Sequence, residues 1–301
     1  MNTALACLIC NEKAIREYNA VFSPFIAKRI WGRDPFLIKI MNCATCNFFF
    51  ADSRFERDEE ARLYRDYRGI EYQVTRESCE PWYTEEFNAR LSTGTMGKRR
   101  VPIAEIFKKH LPSGLTSVLD FGGDRGDLFD GLIASAQTYV YDISGIEAAP
   151  GVQSLRTLNL CESISFDLIA CSNVLEHVAA PRNLMADIRR IAKPGTLVFV
   201  EVPSETPFGL LNYAKRSAQE IILLVRRPRL ALSMLPLHFL RQVHEHVNFF
   251  SLRSLSKLME YSGFTVLAQG VYQSEGFSFG PYKIASGNMV WALGRMIATS
   301  G

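Results

Sequence analysis

The chain has 301 residues, 48% of them hydrophobic and 22% charged, with a net charge of +3. That length holds one large domain and a smaller one, and the apolar share suits a sizeable globular core. A balance this near neutral, with no basic run beyond Lys98-Arg99-Arg100, argues against a nucleic-acid partner.

The chain opens without a visible signal peptide, because Cys7, Cys10, Asn11, Glu12 and Lys13 interrupt any apolar region. Seven cysteines without a secretory context point to a reducing cytoplasm, with thiols or metal rather than disulfides. Residues 1–60 read as a zinc-binding module: Cys7-x-x-Cys10 and Cys43-x-x-Cys46 can each take one edge of a tetrahedral ion. Four thiolates leave no open coordination position, so the role expected of zinc is structural. Four buried free thiols are the alternative.

Residues 61–112 read as a helical connector. Leu63 to Tyr72, then Arg76 and Pro81-Trp82-Tyr83, are dense in tyrosine and arginine, which stack on rings and fork onto carboxylates or phosphates. An amphipathic connector packed on the main domain accounts for the same pattern. From Tyr83 to His110 the apolar spacing is helical, stopped by Pro112-Ser113-Gly114.

Residues 113–301 are organised around Val118-Leu119-Asp120-Phe121-Gly122-Gly123-Asp124-Arg125-Gly126-Asp127-Leu128, a buried strand running through a glycine turn into a helix. Gly122, Gly123 and Gly126 let the backbone turn tightly and admit a ligand. The dinucleotide spacing G-x-G-x-x-G fails, since Asp124 and Asp127 fall where glycines are needed. Carboxylates at 120, 124 and 127 seat a pyrophosphate poorly and suit an ammonium or sulfonium ligand better. The next strand, Thr138 to Asp142, ends about 20 residues beyond Gly122 in an acid able to take ribose hydroxyls.

This turn with Asp142 resembles the cofactor motifs of class I S-adenosylmethionine-dependent methyltransferases, with Asp124 where the family usually carries glycine. The resemblance implies a cofactor site at Asp120, Gly122, Gly123, Gly126, Asp142 and Asn173. Further elements follow in order: helix Leu128 to Ala134, strands Val152 to Leu158 and Phe166 to Cys171, helix Asn183 to Ala192, and strand Leu197 to Val202. Helix Leu252 to Tyr261 is capped by Ser251, and Thr265 to Gln269 and Gly287 to Leu293 close the sheet as an antiparallel pair. The expected fold is α/β: a doubly wound, Rossmann-like, seven-stranded methyltransferase sheet with an N-terminal zinc module and a helical insertion after strand 5. Asp120, Asp142, Asn173, His177 and Glu201 all fall at its carboxyl edge.

The insertion, residues 204–243, reads as a helical lid over the substrate side. A membrane-surface helix, whose arginines beside apolar residues suit anionic headgroups, and a plain packing helix are the alternatives. Its apolar run, Ile221 to Val225, is cut by Arg226, Arg227, Pro228 and Arg229 and cannot span a bilayer. Past it stands His244-Glu245-His246, whose His-x-His has the form of a metal pair without a third ligand at suitable spacing.

The whole chain resembles a methyltransferase subgroup with an N-terminal four-cysteine zinc module, acting in deoxysugar and polysaccharide biosynthesis. Matched by motif, that implies His246 as general base, Glu245 as its orienter, His177 as a second polar group at the acceptor, and Tyr72 at the substrate. The subgroup has a tyrosine where this chain has Val243, which leaves C- and O-methylation of a nucleotide-linked or glycan sugar both open. A non-catalytic binding protein built on the same fold, or methylation of protein or lipid, are the competing readings.

Overall fold

The computed structural model describes residues 6–13, 15–133, 135–205, 210–234, 237, 240–273, 278–279, 282–283 and 288–297. Its centre is a seven-stranded sheet in the order β11-β14-β8-β7-β4-β5-β6. The strands are β4 (Ser117–Phe121), β5 (Gln137–Tyr141), β6 (Gln153–Ser154), β7 (Leu168–Ser172), β8 (Leu197–Ser204), β11 (Phe264–Gln273) and β14 (Asn288–Met296). The first five run parallel, β14 lies antiparallel on β8, and β11 antiparallel on β14.

Alternation along the strands sorts the core onto two faces. Leu119, Ile169, Val198 and Val200 pack under α6 (Pro181–Ile191) and α9 (Leu252–Tyr261). Val118, Leu168, Ala170 and Phe199 meet Ile103 and Phe107 of α4 (Glu85–His110) on the other side.

A second sheet, five-stranded, has the order β10-β3-β2-β1-β9. It joins β1 (Ile15–Phe22), β2 (Leu37–Cys43) and β3 (Phe49–Ala51) to β9 (Arg241–Val243) and β10 (Asn248–Phe249). The chain leaves one edge at Val243 and rejoins the opposite edge at Asn248. Five Cα steps reach at most ~18 Å, whereas four strand gaps in a flat sheet need about 19 Å. The sheet is therefore curled, with His244 to Val247 linking its two edges. Helices α1 (Pro24–Trp31), α2 (Arg57–Tyr64) and α3 (Ile70–Cys79) flank it.

Two expected elements come out differently. The helix after the glycine turn is only a 3-10 turn, Asp127–Phe129, because Asp130 leaves helical geometry at ψ 119° and Gly131 follows at a left-handed φ of 69°; Ala134 lies outside the described residues. The third strand shrinks to Gln153–Ser154 at the sheet edge. In the insertion, α7 (Leu210–Arg226) and α8 (Pro228–Met234) are helical, and α7 packs at the α3–α4 joint, where Arg226 Nη1 donates to Pro81 O at 3.1 Å. Among the described residues no helix is long and apolar enough to cross a membrane.

Candidate active site

The turn after β4 works by left-handed backbone at Gly122 (φ 74°), Asp124 (φ 51°) and Gly126 (φ 79°). Aspartate tolerates this region better than most side chains, which explains how Asp124 can stand in the turn. A Cβ at Gly122 would meet Val174 at 2.6 Å, and one at Gly123 would run into the Asp120 carboxylate. Asp120 is buried, and that burial pushes its carboxyl up to about 7 against a hydrogen bond from Leu128. Asp142, just past β5, accepts from the backbone amides of Asp124 (3.0 Å) and Ser144 (2.7 Å), which ties the two loops together. After β7, Asn173 sits at φ 56° with its buried Oδ1 without a hydrogen-bond partner. Beside it, Glu201 on β8 gathers Ser172 (2.7 Å), Tyr272 (2.6 Å) and the guanidinium of Arg99.

The loop after β7 also carries Glu176 and His177. Backbone amides of Val247 (2.9 Å) and Asn248 (3.0 Å) donate to Glu176 O, so this loop is locked to the segment that crosses the curled sheet. Arg54 strengthens the lock, donating to Val178 O (2.7 Å), Ala179 O (2.8 Å), Val247 O (3.0 Å) and Asn248 Oδ1 (2.7 Å). The rings of His177 and His246 thereby stand edge to face, with centroids 4.7 Å apart.

Each ring has a partner on Nδ1: the Tyr64 hydroxyl for His177 (2.9 Å) and Glu205 for His246 (3.1 Å). Burial, reinforced by the neighbouring His246, drives His177 down to about 3. Burial also opposes charge on His246, but Glu205, Glu176 and Glu245 outweigh it and push that ring up to about 9. Glu176 is pushed up to about 7 by burial, against the pull of His246.

Three expectations change here. His246 is not an isolated imidazole: Glu205 at its Nδ1, with Glu176 and Glu245 nearby, raises its pKa above the ordinary imidazole value. Glu245 does not orient it, because Glu245 accepts from Arg76 (2.7 Å) and from Tyr72 instead. Arg76 continues to Glu80 (3.0 Å), which also meets His244 Nδ1 (2.9 Å). Tyr72 is fully buried and spends its hydroxyl on Glu245. Tyr64, not Tyr72, is the tyrosine bonded to a site histidine. Glu205 and Tyr64 went unnoticed in sequence, though one lies just past the end of β8 and the other within the tyrosine-rich connector.

At the N-terminus the four cysteines converge. The sulfur of Cys7 lies 3.6 Å from that of Cys46, and Cys10 3.5 Å from Cys43. All four ligand atoms fall within 4.8 Å of one another. Sulfurs around a tetrahedral zinc at ~2.3 Å sit about 3.8 Å apart, so the cage has the right size. Each pair ends in an asparagine in left-handed conformation, Asn11 (φ 59°) and Asn47 (φ 57°), whose amide returns to the first cysteine's carbonyl. The module is built into the main core: Phe48 packs on Phe250 with centroids 4.9 Å apart.

A family model described as methyltransferase domain matches residues 87–269. The chain belongs to this methyltransferase family. Among curated relatives, the ubiquinone biosynthesis O-methyltransferase of Methylococcus capsulatus is 28% identical over 155 residues, 52% of this chain and 56% of that protein. The enzyme of the same name from Chromobacterium violaceum is 29% identical over 136 residues, 45% of this chain and 50% of that one. The chain thus spans about half the length of the curated relatives it matches. Among solved structures, Burkholderia thailandensis 1,6-didemethyltoxoflavin-N1-methyltransferase is 14% identical, with a TM-score of 0.49 over 87% of this chain and 96% of that one. The methyltransferase match takes in the glycine turn, Asp142, Asn173, His177 and His246. It leaves out the cysteine cage and Tyr64.

Proposed function

We propose that this chain is an S-adenosylmethionine-dependent methyltransferase acting on a small molecule. One observation carries the reading: a glycine turn tied to Asp142 and a histidine pair converge on the carboxyl edge of one parallel sheet. Ligands of such sheets bind at that edge.

The residues fit the cofactor. Asp142 keeps acceptor lone pairs beyond its two amide bonds and takes the ribose hydroxyls. Asp120 and Asp124 offset the cofactor's positive charge, and the unpartnered Oδ1 of Asn173 accepts from its ammonium group. When bound, the cofactor supplies a methyl made electrophilic by its sulfonium. The chain's own task is positioning: Tyr64 and Glu205 fix the His177–His246 pair, which faces the acceptor and activates it for attack.

The acceptor reading is a nucleotide-linked or glycan sugar, supported by the run of tyrosine rings, Tyr72, Tyr67 and Tyr64, that leads to His177. O-methylation of an acceptor in ubiquinone biosynthesis is the second reading, favoured by the name that the curated relatives carry. Zinc held by Cys7, Cys10, Cys43 and Cys46 completes the assignment as a structural ion.

Calorimetry with S-adenosylmethionine tests the core of this. Asp142→Ala removes hydrogen bonds to a charged acceptor, each worth about 1.5–3 kcal/mol. His246→Ala should bind cofactor as before and lose at least about tenfold in turnover. Unchanged cofactor affinity in Asp142→Ala would overturn the cofactor site.

A further inference from the structure

We propose that Glu176, His177 and His246 together hold a divalent transition-metal ion beside the acceptor. Its role there rests on the methyl-transfer reading above; its binding does not.

Three donor atoms, one from each residue, lie within 4.8 Å of one another. His177 Nε2 stands 3.9 Å from Glu176 Oε1, too far for a hydrogen bond. Donors sharing a metal at ~2.1 Å sit about 3–4 Å apart, so small side-chain movements close the set. Glu176 gives the independent sign. It is 2% exposed, yet neither of its carboxylate oxygens has a hydrogen-bond partner. Buried carboxylates are paired, hydrogen-bonded or bound to metal, and this one faces two imidazoles with both oxygens free.

The surroundings are those of ligands held ready. Tyr64 engages His177 Nδ1 and Glu205 engages His246 Nδ1, the outer contacts that fix ring orientation in metal-binding histidines. The two backbone bonds into Glu176 O clamp the loop that carries Glu176 and His177 onto the segment that carries His246. Glu205 and Glu245 add negative charge around the centre. The sequence lacked a third ligand for the His-x-His pair because it comes from elsewhere: His246 finds its companions after β7, while His244 turns away to Glu80.

Two imidazoles and a carboxylate suit Mn²⁺, Fe²⁺, Co²⁺, Ni²⁺ or Zn²⁺ rather than Mg²⁺ or Ca²⁺. Three protein ligands leave positions for an acceptor oxygen, whose proton the cation makes easier to lose. That proton passes to water, the oxygen–methyl bond forms as the sulfur–methyl bond breaks, and the cofactor leaves as an uncharged thioether.

Mn²⁺ tests the proposal, because it favours nitrogen and oxygen donors over the thiolates of the cysteine cage. Full-length protein, freed of loosely held metal by dialysis against chelator, is titrated with Mn²⁺ while paramagnetic resonance follows the free ion. Wild type should take up about one ion per chain. Glu176→Gln, which keeps the backbone clamp, and His177→Asn should each weaken uptake at least about tenfold, with zinc content by elemental analysis unchanged. Mn²⁺ left free by wild type at millimolar protein, or bound equally by both variants, overturns the proposal. Should either variant fail to fold, the other and the wild-type stoichiometry decide. S-adenosylmethionine calorimetry on wild type separates the readings: Mn²⁺ bound without cofactor sinks methyl transfer and leaves the metal standing, and the reverse sinks the metal.

Discussion

Asp120 closes β4 with a carboxyl that burial holds near 7 instead of the ordinary 3.8. A carboxyl raised in the folded state favours folding while protonated, so its contribution is whole below 3.8 and is lost as pH rises towards 7. Asp120→Asn keeps the shape and the acceptor for the Leu128 amide but cannot ionise. Its stability advantage over wild type should grow from pH 4 to pH 8, reaching up to a few kcal/mol, as urea midpoints across that range would report. The same substitution should weaken S-adenosylmethionine binding, since the cofactor's cation loses its buried counter-charge. Asp120 and Asp142 were legible in sequence because a strand end and a glycine turn fix their positions locally. Partnerships between side chains were not. Glu245 stands next to His246 in the chain, but the chain bends at Glu245 and the two side chains find different partners. Glu245 turns to Arg76 and Tyr72, and His246 to Glu205.

Among elements, α9 shows how far local chemistry reaches. Ser251 accepts from the Ser254 amide at 3.2 Å, and Ser254 Oγ answers by accepting from the Ser251 amide at 2.9 Å. Ser251 Oγ also donates to Asn47 O at 3.2 Å, so one hydroxyl caps a helix and fastens it to the second cysteine turn. Ser251→Ala should cost about 1–2 kcal/mol of unfolding free energy, near the top of the usual range for a cap because a second contact goes with it. A loss below about 0.5 kcal/mol in denaturant unfolding would show that water replaces both bonds. Bounds of β4 and α9 followed from sequence, where hydrophobic period, cap and stop agree. They failed after the glycine turn, where Leu128 to Ile133 has helical apolar spacing but Asp130 and Gly131 turn the chain out of the helix. Two-residue β6 carries no period at all to read.

At the scale of the whole molecule, the seven-stranded sheet was legible because its strands and helices alternate along the chain. The curled sheet was not, since it pairs β1 to β3 with β9 and β10 some 200 residues later, and nothing in a three-residue strand announces its partner. This sheet joins the cysteine cage to the crossing segment that bears His246. Stripping the proposed zinc from the cysteine cage with a strong chelator should therefore do more than loosen the first residues. It should lower the thermal midpoint of the whole chain by several degrees and reduce S-adenosylmethionine-dependent turnover, and re-adding zinc should restore both. Chelation that melts only a small separate transition, with turnover intact, would show the cage to be an independent unit.

The curled sheet also orders events during synthesis. A ribosome delivers β1, β2, β3 and both cysteine pairs first, then nearly two hundred residues before the strands that flank them. Until β9 and β10 emerge, β1 and β3 present open edges to every other chain in the vicinity. Closure of the active site is thus among the last steps of a pathway of high contact order, and a chain released early carries half a sheet, a sticky edge and no His246.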